Sequence, residues 1–122
     1  MGLFEVEVTV SNPSAPIRSA TVDLLVDTGA TLPWLPRAIL ESIGISPLAP
    51  RGYLLSDGRR VERETGIVRM TLDGLAIGAT VVFAEPGEGS ILGASALEAF
   101  GITVDPVGKK LQPRDLMALG AK

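Results

Sequence analysis

The stretch "LLVDTGATLPWLP", Leu24 to Pro36, sets one carboxylate, Asp27, between an apolar strand and a tight turn containing glycine. Glycine lets the backbone turn sharply and approach a neighbour closely. Threonine offers a hydroxyl and an amide that can hold a carboxylate in place. A single aspartate of ordinary acidity is a poor acid and base at once. Two carboxylates pressed together behave differently, because they cannot both ionise and so share one proton. The chain contains one such unit: Asp23, Asp57, Asp73, Asp105 and Asp115 have neither Thr-Gly nor Ser-Gly after them. A catalytic Asp27 therefore needs its partner from a second copy of the chain, and two-fold dimers are the commonest oligomers. The plain alternative is an Asx-turn that merely ends a strand. One Asp-Thr-Gly arises by chance in roughly 2% of chains of this length, so the tripeptide alone leaves both readings open.

Composition narrows the chemistry. At 122 residues the chain has the length of one domain, taken as 1–122, with a single modest core. Hydrophobic residues make up 46% and charged residues 20%, which fits a compact globule rather than disorder. Aromatics are only 4%, so Val, Ile, Leu and Ala must fill the core. The 14 Gly and 9 Pro cut the chain into short elements and favour a turn-rich β fold. Net charge is −3 and the basic residues are scattered, so no nucleic-acid footprint is expected. With no Cys and no His, disulfides, thiolate nucleophiles, histidine triads and ordinary zinc sites are excluded. Acid–base chemistry falls to carboxylates, Lys or Tyr. The N-terminal "MGLFEVEVTVS" is too acidic for a signal peptide and lacks the myristoylation pattern. "GLAIGATVVFA", Gly74 to Ala84, is too short to span a bilayer. A soluble, cytoplasmic protein without a membrane segment is the expectation.

Periodicity predicts a mostly β chain with one or two small helices. "FEVEVTV" (Phe4 to Val10) alternates as a half-buried strand, "SNPSAP" is a turn, and "SATVDLLV" (Ser19 to Val26) is a second strand. The run Leu24-Leu25-Val26 suggests burial on both faces. "LPRAILESIGI" reads as a short helix with Pro36 at its first position and Gly44 at its C-terminal cap. Asp57-Gly58 and Asp73-Gly74 each signal a hairpin. "SILG" is a short strand, "ASALEAF" a helix stopped by Gly101, and "ITVDPVGKKLQP" one or two closing strands with a turn at Asp105-Pro106.

Two blocks now carry a resemblance. "LLVDTGAT" resembles the active-site segment of the single-domain, retroviral-type aspartic proteases (retropepsins) and their cellular and bacterial relatives. "SILGASALEAFGITVD", Ser90 to Asp105, resembles the family's apolar-apolar-Gly segment with its following helix and strand. The likeness runs from about Ser19 to Leu111. It implies an all-β, closed-barrel-like acid protease fold with a flap hairpin, in which Ile91-Leu92-Gly93 threads beside the Asp27 loop. It implies a homodimer that needs no metal or cofactor and acts on peptide or protein. By position, Asp27 matches the catalytic aspartate, Thr28 the threonine that bonds its counterpart across the dimer, and Gly29 the glycine lining the substrate floor. Ala30 and Thr31, with Ser56, Asp57, Gly58 and Arg59 of the flap, fall where substrate contacts are expected.

The match is not complete. Thr31 and Leu32 stand where viral members carry acidic residues, and Ala94 stands where they carry the arginine that pairs with one of them. That joint loss resembles the bacterial branch. The flap, "DGRRVERE", is charged where viral flaps are glycine-rich. Its charges Arg59, Arg60, Glu62, Arg63 and Glu64 read as a solvated face. Trp34 reads as packing, with a substrate subsite the minority reading; Tyr53 faces either cleft or core. "GEGS" lacks the spacing of a phosphate cradle. "LQPRDLMALGAK" is a candidate dimerisation segment, although Pro113 limits any strand there to an edge. The expected function is a homodimeric aspartic-type endopeptidase; the competing one is a non-catalytic peptide-binding or dimerisation module of the same fold.

Overall fold

The structure, a computed structural model, describes residues 4–105 and 107–113. Alternating Val6, Val8 and Val10 form β1 (Glu5–Asn12), which turns at Pro13-Ser14 into the antiparallel β2 (Ala15–Val26). The second strand starts four residues earlier than the apolar pattern suggested, because its first half buries nothing, and even Ile17 is exposed. β3 (Trp34–Pro36) and α1 (Arg37–Ser42) follow, then the hairpin β4 (Arg51–Leu54) and β5 (Arg60–Arg63). Next come β6 (Thr65–Leu72), β7 (Leu75–Ala84), β8 (Ile91–Leu92), α2 (Ala94–Phe100), β9 (Ile102–Asp105) and β10 (Lys110–Pro113).

Six strands form a closed ring in the order β1-β2-β8-β3-β7-β6, with β6 pairing back onto β1. Closure removes the open sheet edges that otherwise invite pairing with other chains. Val8, Val10, Leu24, Val26, Leu35, Val68, Met70, Val81, Phe83 and Leu92 fill the interior, with Leu40 of α1 and Leu97 and Phe100 of α2. Only Phe83 and Phe100 are buried aromatics in that core, so it is aliphatic as the composition required. Leu24 and Val26 point inward but Leu25 is only half-buried, so that run is not buried on both faces. The run buried on both faces is Val81–Ala84, where β7 is also contacted by α1, α2 and β5.

The turns obey their residues. Asp73 and Gly74 both take positive φ (50° and 82°), the two-residue hairpin geometry. Asp57-Gly58 sits instead in a longer loop, closed by Leu55 N–H donating to the Arg59 carbonyl at 2.8 Å. Pro36 ends β3 and caps α1 from outside, one residue before the position expected. Gly44 (φ 81°) follows the α1 C-cap, and Gly101 (φ 71°) ends α2. The Asp105 carboxylate accepts the Val107 and Gly108 amides at 3.1 Å, an Asx-type turn; Pro106 lies outside the described residues. So do 114–122 of the suggested dimerisation segment, and 1–3. Among the described residues no helix is long and apolar enough to cross a membrane.

Candidate active site

Asp27 leaves the end of β2 in a loop that runs to β3, and the second block holds it from below. β8 lies parallel to β2, with Leu25 beside Ile91 and Val26 beside Leu92. Leu25 N–H donates to the Ser90 carbonyl (2.8 Å) and Asp27 N–H to the Leu92 carbonyl (3.2 Å). From the other end, the first amides of α2 reach back into the loop: Ala94 donates to the Ala30 carbonyl (2.7 Å) and Ser95 to the Thr31 carbonyl (2.9 Å). Between these contacts Gly93 has no room for a side chain. A Cβ there would stand 2.6 Å from the Leu32 carbonyl oxygen and 2.9 Å from that of Ala30. Its φ of −84° suits any residue, so glycine is needed for space alone.

Within this frame the Asp27 carboxylate accepts the Gly29 amide at 2.9 Å and is half-buried, with Thr28 and Gly29 exposed beside it. A Cβ on Gly29 would come within 3.1 Å of the Asp27 carboxylate oxygen. A positioned, acceptor-only carboxylate on an accessible loop can serve as a base or, protonated, as an acid. The described residues contain no cluster of His, Cys, Asp or Glu able to hold a metal ion. Thus Asp27, Thr28, Gly29, Ala30 and Thr31 come together on one loop, locked to the Ile91-Leu92-Gly93 block.

The flap residues form a second group. Ser56, Asp57, Gly58 and Arg59 are all exposed, and the polar contacts of the tip stay within the hairpin. The Asp57 carboxylate accepts the Arg59 amide (3.0 Å) and the Arg59 Nε–H (2.8 Å), which hold its carboxyl below the usual range. They share no hydrogen bond or ion pair with Asp27.

At the flap base the solvated-face reading fails for two residues. Arg63 donates through Nε to Glu88 (3.0 Å) and pairs with it again through Nη2, both side chains being about one-fifth exposed. Glu88 also accepts the Glu85 amide at 2.8 Å. The Arg63 contact holds the Glu88 carboxyl below its ordinary range. Arg37 bridges Glu64 (2.5 Å) and Glu85 (3.1 Å) while its guanidinium stacks 4.8 Å from the Phe83 ring centre. Arg59, Arg60 and Glu62 are exposed as expected. Strand alternation was the available signal: Arg63 shares a face with Val61, not with Arg60 and Glu62. The ion pairs that join Arg37 to Glu64 and Glu85 and Arg63 to Glu88 carried no signal, since their members lie 25 or more residues apart.

The fold agrees with that of solved retroviral proteases. The EIAV protease complexed with the inhibitor HBY-793 superposes with a TM-score of 0.57 at 20% identity, covering 78% of this chain and 85% of that one. The Simian Foamy Virus (mac) protease gives 0.54 at 18% identity, covering 78% and 92%. The retroviral protease-like domain of Ddi1 from Leishmania major gives 0.62 at 18% identity, covering 95% and 91%. At such identities the likeness concerns the fold. A search of curated proteins returns no match. The family model described as "Aspartyl protease" matches residues 6–96, about three quarters of the sequence and including both blocks around Asp27 and Gly93 up to the first turn of α2; the chain belongs to the aspartyl protease family, in its retropepsin-like form.

Proposed function

We propose that the chain, as one protease unit over 1–122, is a homodimeric aspartic endopeptidase in which Asp27 of each copy supplies half of the catalytic pair. The observation that carries this is the Asp27 carboxylate held at 2.9 Å by the Gly29 amide on an accessible loop, in a chain with one such unit. The two carboxylates share one proton and titrate as a pair. The ionised member takes a proton from water, whose oxygen attacks the scissile carbonyl. The protonated member gives its proton to the carbonyl oxygen. The tetrahedral intermediate collapses as the amine leaves with a proton, and no covalent enzyme adduct forms. Thr28 bonds its counterpart across the two-fold axis and Gly29 lines the floor. Ala30, Thr31 and the flap residues Ser56, Asp57, Gly58 and Arg59 hold the peptide, with flap closure excluding water.

A second reading, a peptide-binding module without catalysis, is favoured by one observation: the hydrogen bonds of the flap tip stay within the hairpin. Replacing Asp27 with Asn and assaying cleavage of a denatured-protein or peptide library at mildly acidic pH decides between them. Cleavage lost in D27N, with the fold intact by circular dichroism, supports the enzyme. Unchanged cleavage by the mutant removes Asp27 from the mechanism, and a wild type that is inert and strictly monomeric in sedimentation supports the binding module.

A further inference from the structure

Beyond its ion-paired base the flap hairpin makes one aromatic contact with the strand ring among the described residues. Strands β4 and β5 pair only with each other. Above Arg63 no backbone hydrogen bond joins them to the strand ring among the described residues. Alternation turns Tyr53 to the same face as its cross-strand partner Val61, while Leu54 on the opposite face is 77% exposed. Tyr53 meets Trp34 edge to face, ring centres 5.6 Å apart and planes at 72°. Trp34 opens β3, the strand that the Asp27 loop feeds. Its register places it between Ile91 of β8 and Val82 of β7. The contact therefore runs from the roof to the strand on which both blocks of the site converge.

One detail of that contact is out of balance. The Tyr53 hydroxyl is buried without a hydrogen-bond partner among the described residues, and it is the only such side-chain polar atom there. Burying an unpaired hydroxyl opposes the seated position, while an aromatic pair of this geometry favours it. Lifting the hairpin breaks the ring contact but returns the hydroxyl to water, so the hydroxyl cancels part, not all, of what the buried ring contributes.

We propose that Tyr53 is the positioning residue of the flap: its ring seats the hairpin on Trp34, and its unpaired hydroxyl keeps that seat weak enough for the hairpin to lift and admit a peptide. The gating half of this inference rests on the protease reading; the seating half does not. Two substitutions separate ring from hydroxyl. Tyr53→Phe keeps the ring and removes the opposing group, so the seat tightens. Tyr53→Ala removes both, so the seat is lost.

Trp34 is the sole tryptophan, so its fluorescence reports on the contact. Acrylamide quenching of Trp34 is combined with hydrogen exchange over residues 51–63. Y53F is expected to slow exchange by about fivefold to a hundredfold, the range set by relieving one buried unpaired group, and to leave Trp34 no more quenchable. Y53A is expected to speed exchange and raise quenching severalfold. Faster exchange in Y53F would mean that the hydroxyl holds the hairpin down, and unchanged quenching and exchange in Y53A would mean that the ring does not seat it; either overturns the inference. Neither reading depends on catalysis. With fluorescein-labelled denatured casein, Y53F should also lower kcat severalfold, because product leaves only when the hairpin lifts. An unchanged kcat in an enzyme that cleaves overturns the gating half. A wild type that does not cleave casein overturns the gating half together with the protease reading on which it rests, while the exchange result alone decides the seat.

Discussion

Around Asp27 the backbone does the holding: amides of β2 and α2 meet carbonyls of β8 and the loop, and Gly93 fits a gap with no space for a methyl group. The flap, 51–63, is held instead by side chains, with ion pairs at its base, one aromatic contact midway and, among the described residues, no hydrogen bond or ion pair from its tip to the rest of the fold. Backbone bonds between buried segments vary little with pH or salt, whereas partly exposed charges respond to both. The difference separates a floor fixed by backbone bonds from a roof held by side chains. It also implies that substitutions in the two regions should differ in kind: floor changes threaten folding, and roof changes threaten motion.

The largest effect is expected in the floor. Gly93→Ala would force a methyl group against two backbone carbonyls that cannot swing away, so it should destabilise the fold by about 3 kcal/mol. Urea unfolding followed by far-UV circular dichroism measures it, and a loss below about 0.5 kcal/mol would contradict a rigid floor.

A smaller effect belongs to the flap base. The folded Glu88 carboxyl titrates below its ordinary value of 4.5, so the unfolded chain takes up that proton more readily. Its contribution is therefore fully present above that ordinary value and is lost as pH falls through the lowered folded value. Glu88→Gln should cost about 1 kcal/mol at neutral pH. The deficit should shrink toward zero on acidification, read by urea unfolding at neutral pH and at about pH 3. A deficit independent of pH would mean that Glu88 acts by packing rather than charge.

The smallest effect is at the tip. Asp57 bonds only Arg59 and is well exposed, so Asp57→Ala should leave Tm unchanged and speed amide exchange only within residues 55–59. A fall in Tm would show that the tip supports the ring after all.

The same division decided what could be read from the sequence. The floor was legible because its chemistry is local: Asp-Thr-Gly is contiguous, and Ile91-Leu92-Gly93 is a recognisable second block that the structure lays parallel to β2. The hairpins were legible from Asp-Gly pairs, although only Asp73-Gly74 forms the two-residue turn. β3 was hidden because Trp34-Leu35-Pro36 is three residues long and leads into a helix. The staples of the flap base were hidden because charge pairing across the fold leaves no mark along the chain. Arg63 and Glu88 become neighbours only once β5 lies beside the loop that precedes β8.

The central claim is that one working site takes Asp27 from two chains. Wild-type and Asp27→Asn chains, exchanged to equilibrium at fixed total concentration, test it most directly. If both carboxylates are required, activity follows the square of the wild-type fraction, and an equimolar mixture retains about one quarter of the wild-type rate. Activity in direct proportion to the wild-type fraction, about one half in that mixture, would mean that a single chain carries a complete site and would contradict the account.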